Sequence, residues 1–181
     1  MDENSIMAGD NMWEFTGKQR PNFALVPGEG QESVWDYPRP PALVSSDEQV
    51  DVAFNGLELA SSRHTLRVLE TAHPPTYYIP EGDVNWEFLA AIAKSSFCEW
   101  KGTANYFSLQ RHTEQGAIAW QYREPIASFA KLDGHVSFYP SLTDCSVNGE
   151  RVMPQPGLFY GGWITDRVVG PFKGEPGTRH W

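Results

Sequence analysis

Two asparagine–glycine pairs constrain the fold most. Val50-Asp51-Val52-Ala53-Phe54 alternates in period two, Asn55-Gly56 follows, and Leu57-Glu58-Leu59-Ala60 alternates back. Alternate residues of a strand face opposite sides, and Asn-Gly supplies the positive φ angles of a two-residue hairpin turn. The pattern returns in Cys145-Ser146-Val147-Asn148-Gly149-Glu150-Arg151-Val152, again with Asn-Gly at the tip. Two such hairpins predict antiparallel sheet.

Further strands are expected at Leu66–Thr71, Thr76–Ile79, Ala104–Gln110, Ala117–Tyr122 and His135–Tyr139, each bounded by Gly, Pro or polar residues. One principal α-helix is predicted from Asp83, as N-cap, to about Lys94, with Val84, Phe88, Leu89 and Ile92 on one face. The chain therefore reads as mainly β with one helix and irregular N- and C-terminal extensions.

At 181 residues it fits one domain. Residues 1–33 read as an irregular tail that Trp13, Phe15 and Phe23 could dock, and residues 34–154 form the domain. Residues 155–181 are a Gly/Pro/aromatic wrap on it, anchored by Phe159, Tyr160, Trp163, Phe172 and Trp181. The prolines of Val34-Trp35-Asp36-Tyr37-Pro38-Arg39-Pro40-Pro41 predict an extended segment. It reads either as a P-x-x-P ligand for an aromatic groove or as a lead-in lying on the domain.

A formal charge of −9 and the lack of a long basic cluster argue against nucleic acid and anionic membranes as partners. The longest apolar run, Phe88–Ala93, is far short of the roughly 18 residues that a spanning helix needs. The opening Met1-Asp2-Glu3-Asn4 is acidic where a secretory signal is basic, so a cytoplasmic location is expected. Cys98 and Cys145 are too few for a disulfide framework and are expected as free thiols. The five histidines lack zinc-site spacing, so neither metal nor cofactor is expected.

Tyr77-Tyr78-Ile79-Pro80 with Asp83-Val84, Cys98-Glu99-Trp100-Lys101-Gly102 with Ala104 and Tyr106, Ala119-Trp120-Gln121-Tyr122, and Val136-Ser137-Phe138-Tyr139 follow in order. In these motifs the chain resembles the bacterial and fungal family known as domain of unknown function 427, over roughly Val50 to Tyr139. The flanks are similar to its longer members. The resemblance implies a β-tent-like fold of two antiparallel sheets leaning on each other, akin to methionine-R-sulfoxide reductases and glutathione-dependent formaldehyde-activating enzymes. Those relatives often hold zinc on paired Cys-x-x-Cys motifs. Here Lys101 stands where the second cysteine would be, so zinc is expected to be absent.

The densest chemistry lies at Cys98-Glu99-Trp100-Lys101. Lys101 would favour the Cys98 thiolate, which makes Cys98 a candidate nucleophile, although a buried inert thiol is the simpler reading of a lone cysteine. Glu70, Tyr78, Lys101, Tyr106, Trp120 and Tyr122 sit on or beside predicted strands. Together with Cys98 they are the candidate ligand site, Lys101 being a cationic anchor that Glu70 holds within ion-pair reach and the rings being its walls. The alternative is a buried Glu70–Lys101 pair that only pins two sheets. No catalytic residue or reaction is assigned. A small polar or anionic molecule is the expected ligand; the other reading is a structural or interaction domain, or a homodimer, that uses its aromatic flanks.

Overall fold

The computed structural model describes residues 13–181; the acidic N-terminus and the first part of the tail lie outside the described residues. The strands are β1 (Glu32–Ser33), β2 (Ala42–Ser46), β3 (Val50–Phe54), β4 (Leu57–Ser62), β5 (Thr65–Leu69), β6 (Thr76–Pro80), β7 (Leu89–Cys98) and β8 (Gly102–Leu109). There follow β9 (Ala119–Gln121), β10 (His135–Phe138), β11 (Asp144–Val147), β12 (Glu150–Arg151), β13 (Met153–Pro154), β14 (Trp163–Ile164) and β15 (Val168–Val169). Seven form one antiparallel sheet in the order β2-β5-β6-β10-β9-β8-β7, and four form a second in the order β12-β11-β3-β4. Two short pairs, β13-β14 and the parallel β1-β15, join the terminal segments.

Both Asn-Gly hairpins form. Asn55 and Gly56 have φ of 49° and 80°, and Asn148 and Gly149 have 50° and 80°, the doubly positive pair that a right-twisting two-residue turn requires.

Period two divides the seven-stranded sheet into two faces. Tyr77, Ile79, Phe107, Ala119, Val136 and Phe138 point toward the four-stranded sheet and pack with its Val50, Val52, Leu59, Cys145 and Val147. Tyr78, Tyr106, Trp120 and Tyr122 point to the opposite face, with Leu66, Val68, Ala104, Phe129 and Leu132. The second face bears the site.

The helix expected over Asp83–Lys94 is absent. Two short 3-10 turns, Glu81–Asp83 and Trp86–Phe88, lead instead into β7, the sheet's edge strand. Asp83 does not cap a helix; its carboxylate accepts from Ser62 Oγ at 2.5 Å. Asn85 is drawn to β4, its backbone N–H donating to Leu59 O and its amide to Glu58 O, both at 2.8 Å. The expected apolar face is thereby split, with Val84 and Leu89 in the inter-sheet core and Ile92 against the opposite cluster. Pairing with β8 outweighs the helix propensity of an alanine-rich stretch.

The segment expected to be extended before Pro38 starts with a 3-10 turn at Val34–Asp36, in which Ser33 Oγ accepts from Trp35 N. Val34 and Trp35 are fully buried and Tyr37 nearly so, as a lead-in lying on the domain requires, while Pro38 and Pro40 are exposed. Phe15, Phe23 and Trp181 pack around Trp35, with ring centroids 5.1–5.2 Å from it. Past Pro154, Trp163 is fully buried and its indole N–H donates to Phe138 O at 3.1 Å. Phe159, expected as an anchor, is 80% exposed.

Candidate functional site

The register of the second face explains how the site is assembled. Tyr106 pairs with Trp120 across β8-β9, Trp120 with Ser137 across β9-β10, and Leu66 with Tyr78 across β5-β6. The small Ser137 stands between Trp120 and Tyr78 and leaves room for the indole to lean across. Trp120 Nε1–H donates to Tyr78 Oη at 3.2 Å. Tyr139 packs on Trp120 with ring centroids 4.4 Å apart.

Lys101 enters from the β7-β8 hairpin. Glu99, Trp100 and Lys101 form its loop, closed by Gly102 with φ of +99° and by the pairing of Cys98 with Gly102. A β-carbon at residue 102 would make its own backbone conformation unfavourable, so the glycine is required by the turn. The loop folds Lys101 back beside Cys98, over the Tyr122 ring at 5.8 Å.

A cavity of about 590 Å³ lies over this face. All seven residues singled out from the sequence line it: Glu70, Tyr78, Cys98, Lys101, Tyr106, Trp120 and Tyr122. One expected relation is corrected. Glu70 does not hold Lys101; it pairs with Arg39, whose Nε lies 3.2 Å from Glu70 Oε1. Among the described residues no carboxylate comes within ion-pair distance of Lys101. The Arg39 side chain is 1% exposed and is compensated by Glu70 and by the carbonyls of Phe15 and Thr71. The buried-strut alternative for Glu70–Lys101 falls with the same observation.

The electrostatics keep Lys101 charged. Burial works against its proton; Tyr78, once ionised, then Cys98 and Glu70 favour it, and the balance holds its pKa above the ordinary lysine range. Burial pushes the Tyr78, Tyr122 and Tyr139 hydroxyls upward, so all three keep their protons at neutral pH. Two further ammonium groups line the cavity. Lys94 sits 4.6 Å from the Tyr106 ring centroid, and Lys173 donates to Trp181 O at 2.6 Å. Burial, then Arg39, lowers the Lys173 pKa. The lining carboxylates are Glu70 and Glu99.

His73, Gln155 and Tyr160 also line the cavity and were not anticipated. Gln155 Oε1 accepts from Gly162 N at 3.2 Å, and Nε2 donates to Lys173 O at 2.7 Å. With its amide so oriented, Gln155 Nε2 is also the donor in its 2.9 Å contact with His73 Nδ1. The His73 proton therefore resides on Nε2, on the other side of the ring. Burial, only partly opposed by Glu70, pushes the His73 pKa down to about 4, so the ring is a neutral N–H donor at pH 7. Tyr160 packs edge-on against it at 4.8 Å. No spacing in the sequence ties His73 to a zinc site or, as a base, to Cys98.

Cys98 is a half-buried thiol in the cavity wall. Cys145 is a buried thiol in the inter-sheet core, where burial pushes its pKa up to about 12. Among the described residues no group of three or more His, Cys, Asp or Glu side chains could hold a metal ion, and no helix is long and apolar enough to cross a membrane.

Residues 42–149 match the family described as domain of unknown function 427. The chain belongs to that family. The match runs from β2 to the β11-β12 turn and includes all seven anticipated residues and His73; Gln155, Tyr160 and Lys173 lie beyond it. No curated protein matches the chain. Membership of domain of unknown function 427 thus brings no assigned chemistry, and the cavity's own geometry must supply the functional argument.

Proposed function

We propose that this member of the family binds a small anionic ligand in the cavity, with Lys101 as its anchor and Tyr78, Tyr106, Trp120 and Tyr122 as its walls. The observation that carries the reading is a half-buried ammonium in a ring-walled cavity with no described carboxylate in ion-pair reach. A charge so placed has no ion-pair partner among the described residues, and a ligand oxyanion would supply one. The neutral His73 N–H and the protonated tyrosines add donors of the right polarity. Two sheets that share one core fit the β-tent arrangement expected for the family, and two unpaired thiols fit a cytoplasmic setting.

The test is a thermal-shift screen of the full chain against small carboxylates and phosphates, with Lys101→Met alongside. A ligand present at 100-fold over its Kd adds about 2.7 kcal/mol to the wild-type stability. The variant should lose that gain yet keep its unliganded stability within about 1 kcal/mol, because no ion pair is broken. A ligand that stabilises both proteins equally would remove Lys101 from the site. A second reading, an interaction domain or homodimer, is favoured by one observation, the exposed rings of Phe97 and Phe159.

A further inference from the structure

Of the large apolar side chains, Leu158, Val26, Phe159 and Phe97 are the most exposed among the described residues, at 101%, 82%, 80% and 74%. Three of the four line the same cavity. They come from two segments, Phe97 from the end of β7 just before Cys98, and Leu158 and Phe159 from the loop between β13 and β14. Phe159 packs on Tyr160 at 5.2 Å, and Tyr160 on His73, so a continuous row of rings leads inward from the mouth. Contiguous apolar exposure of this kind marks a surface that something covers.

The polar end of the cavity limits the charge of its ligand. Arg39 does not line it and is engaged by Glu70, Lys94 lies over the Tyr106 ring, and Lys173 is bound to Trp181 O. The three ammonium groups of the lining, Lys94, Lys101 and Lys173, set against its two carboxylates, Glu70 and Glu99, leave a net charge of +1. That charge suits a monoanion, whereas a phosphate calls for guanidinium forks or a cradle of backbone N–H groups. The volume of about 590 Å³ falls within the roughly 300–1,000 Å³ that encloses a drug-sized molecule, so a bare carboxylate would leave most of it unfilled.

We infer that the ligand is an amphiphilic monocarboxylate, its charged end at Lys101 and its apolar body against Phe97, Leu158 and Phe159. The inference rests on the ligand-binding reading above and adds the class of ligand and its direction. Two of the three rim residues, Leu158 and Phe159, lie beyond the family match, so this specificity belongs to the chain's own C-terminal segment.

Isothermal titration calorimetry of the full chain with acetate, 4-phenylbutyrate and neutral 4-phenylbutyramide tests it, alongside Lys101→Met and the double variant Phe97→Ser/Phe159→Ser. Both rim rings are exposed, so their loss does not threaten folding. The expected result is 4-phenylbutyrate binding at least tenfold tighter than acetate and than the amide. Lys101→Met should remove the preference over the amide, and the rim variant the preference over acetate. Equal affinity for the two carboxylates, or a preference that survives in the rim variant, overturns the inference and leaves the Lys101 anion site standing. Equal affinity for carboxylate and amide overturns the charged end. If none of the three binds, both readings fail; a concentration-dependent dimer lost in the rim variant would then assign the rim to a second copy of the chain.

Discussion

Mild acid is expected to destabilise the protein through His73. Its imidazole is held neutral, with a folded-state pKa of about 4 against 6.5 for an unperturbed histidine. Between those values the unfolded chain binds a proton that the folded chain refuses, so stability rises with pH there. The contribution is whole above about pH 6.5 and is lost as pH falls toward about 4. From pH 7 to pH 5 the loss is about 2 kcal/mol, which lowers the melting temperature by about 4–8 °C for a domain of this size. Urea and thermal denaturation at half-unit steps from pH 4.5 to 8 measure it in wild type and in His73→Gln. Glutamine does not titrate, and its Oε1 is able to accept the Gln155 N–H. The wild-type curve should fall across this window and the variant curve should be flatter by that amount. Glu32 titrates elsewhere: burial opposes its charge, but Arg67 and the Tyr37 hydroxyl, at 2.8 and 2.5 Å, hold its pKa below the usual glutamate value, so its contribution is lost only below about pH 4.5. Parallel wild-type and variant curves between pH 7 and pH 5 would refute the assignment of a buried neutral His73.

Trp163→Ala removes a fully buried indole and its bond to Phe138 O, and should cost about 3–5 kcal/mol in urea denaturation; a cost below about 1 kcal/mol would show that the segment after Pro154 contributes little to the core. Glu70→Ala strips the buried Arg39 guanidinium of its carboxylate and should cost about 3 kcal/mol, whereas an unchanged midpoint would mean that the Phe15 and Thr71 carbonyls suffice. Gly161→Ala places a methyl group 2.3 Å from Trp120 Cη2, so the indole must move and its bond to Tyr78 lengthen. The Trp120 Nε1–H resonance should shift in a ¹H–¹⁵N spectrum, and an unmoved resonance contradicts the packing.

The strands that were legible in the sequence are those whose signal is local. Asn-Gly turns depend on two φ angles and the alternation beside them is a local sequence pattern, so β3, β4, β11 and β12 need no knowledge of the rest of the chain, even though a bulge at Val52/Ala53 puts Leu59 and Ala60 both in the core. The edge strand β7 was not legible for a specific reason. Its pairing jumps from Ile92↔Tyr106 to Ser95↔Asn105, which leaves Ala93 and Lys94 unpaired, and the alternate positions Lys94, Ser96 and Cys98 that face the cavity carry no apolar signal. With alternation hidden, the alanines and the spacing of Val84, Phe88, Leu89 and Ile92 imitate a helix face. What decides the outcome is β8, whose long-range pairing a local pattern does not contain.

The candidate site shows the same division. Tyr78, Tyr106, Trp120 and Tyr122 share one face because strand register puts them there, and motif spacing carried that information. The partner of Glu70 was not legible, because Arg39 comes from a segment 31 residues away and proximity of motifs does not say which cation the fold brings up. Arg39, whose side chain is 1% exposed, takes the carboxylate together with the carbonyls of Phe15 and Thr71. That choice has a functional consequence. A Glu70 turned toward Lys101 would have closed an ion pair inside the cavity and opposed any anionic ligand. Bound to Arg39 instead, it fixes the segment before β2 to the wall and leaves the Lys101 charge available. The stability of the lead-in and the charge of the cavity are therefore set by the same carboxylate.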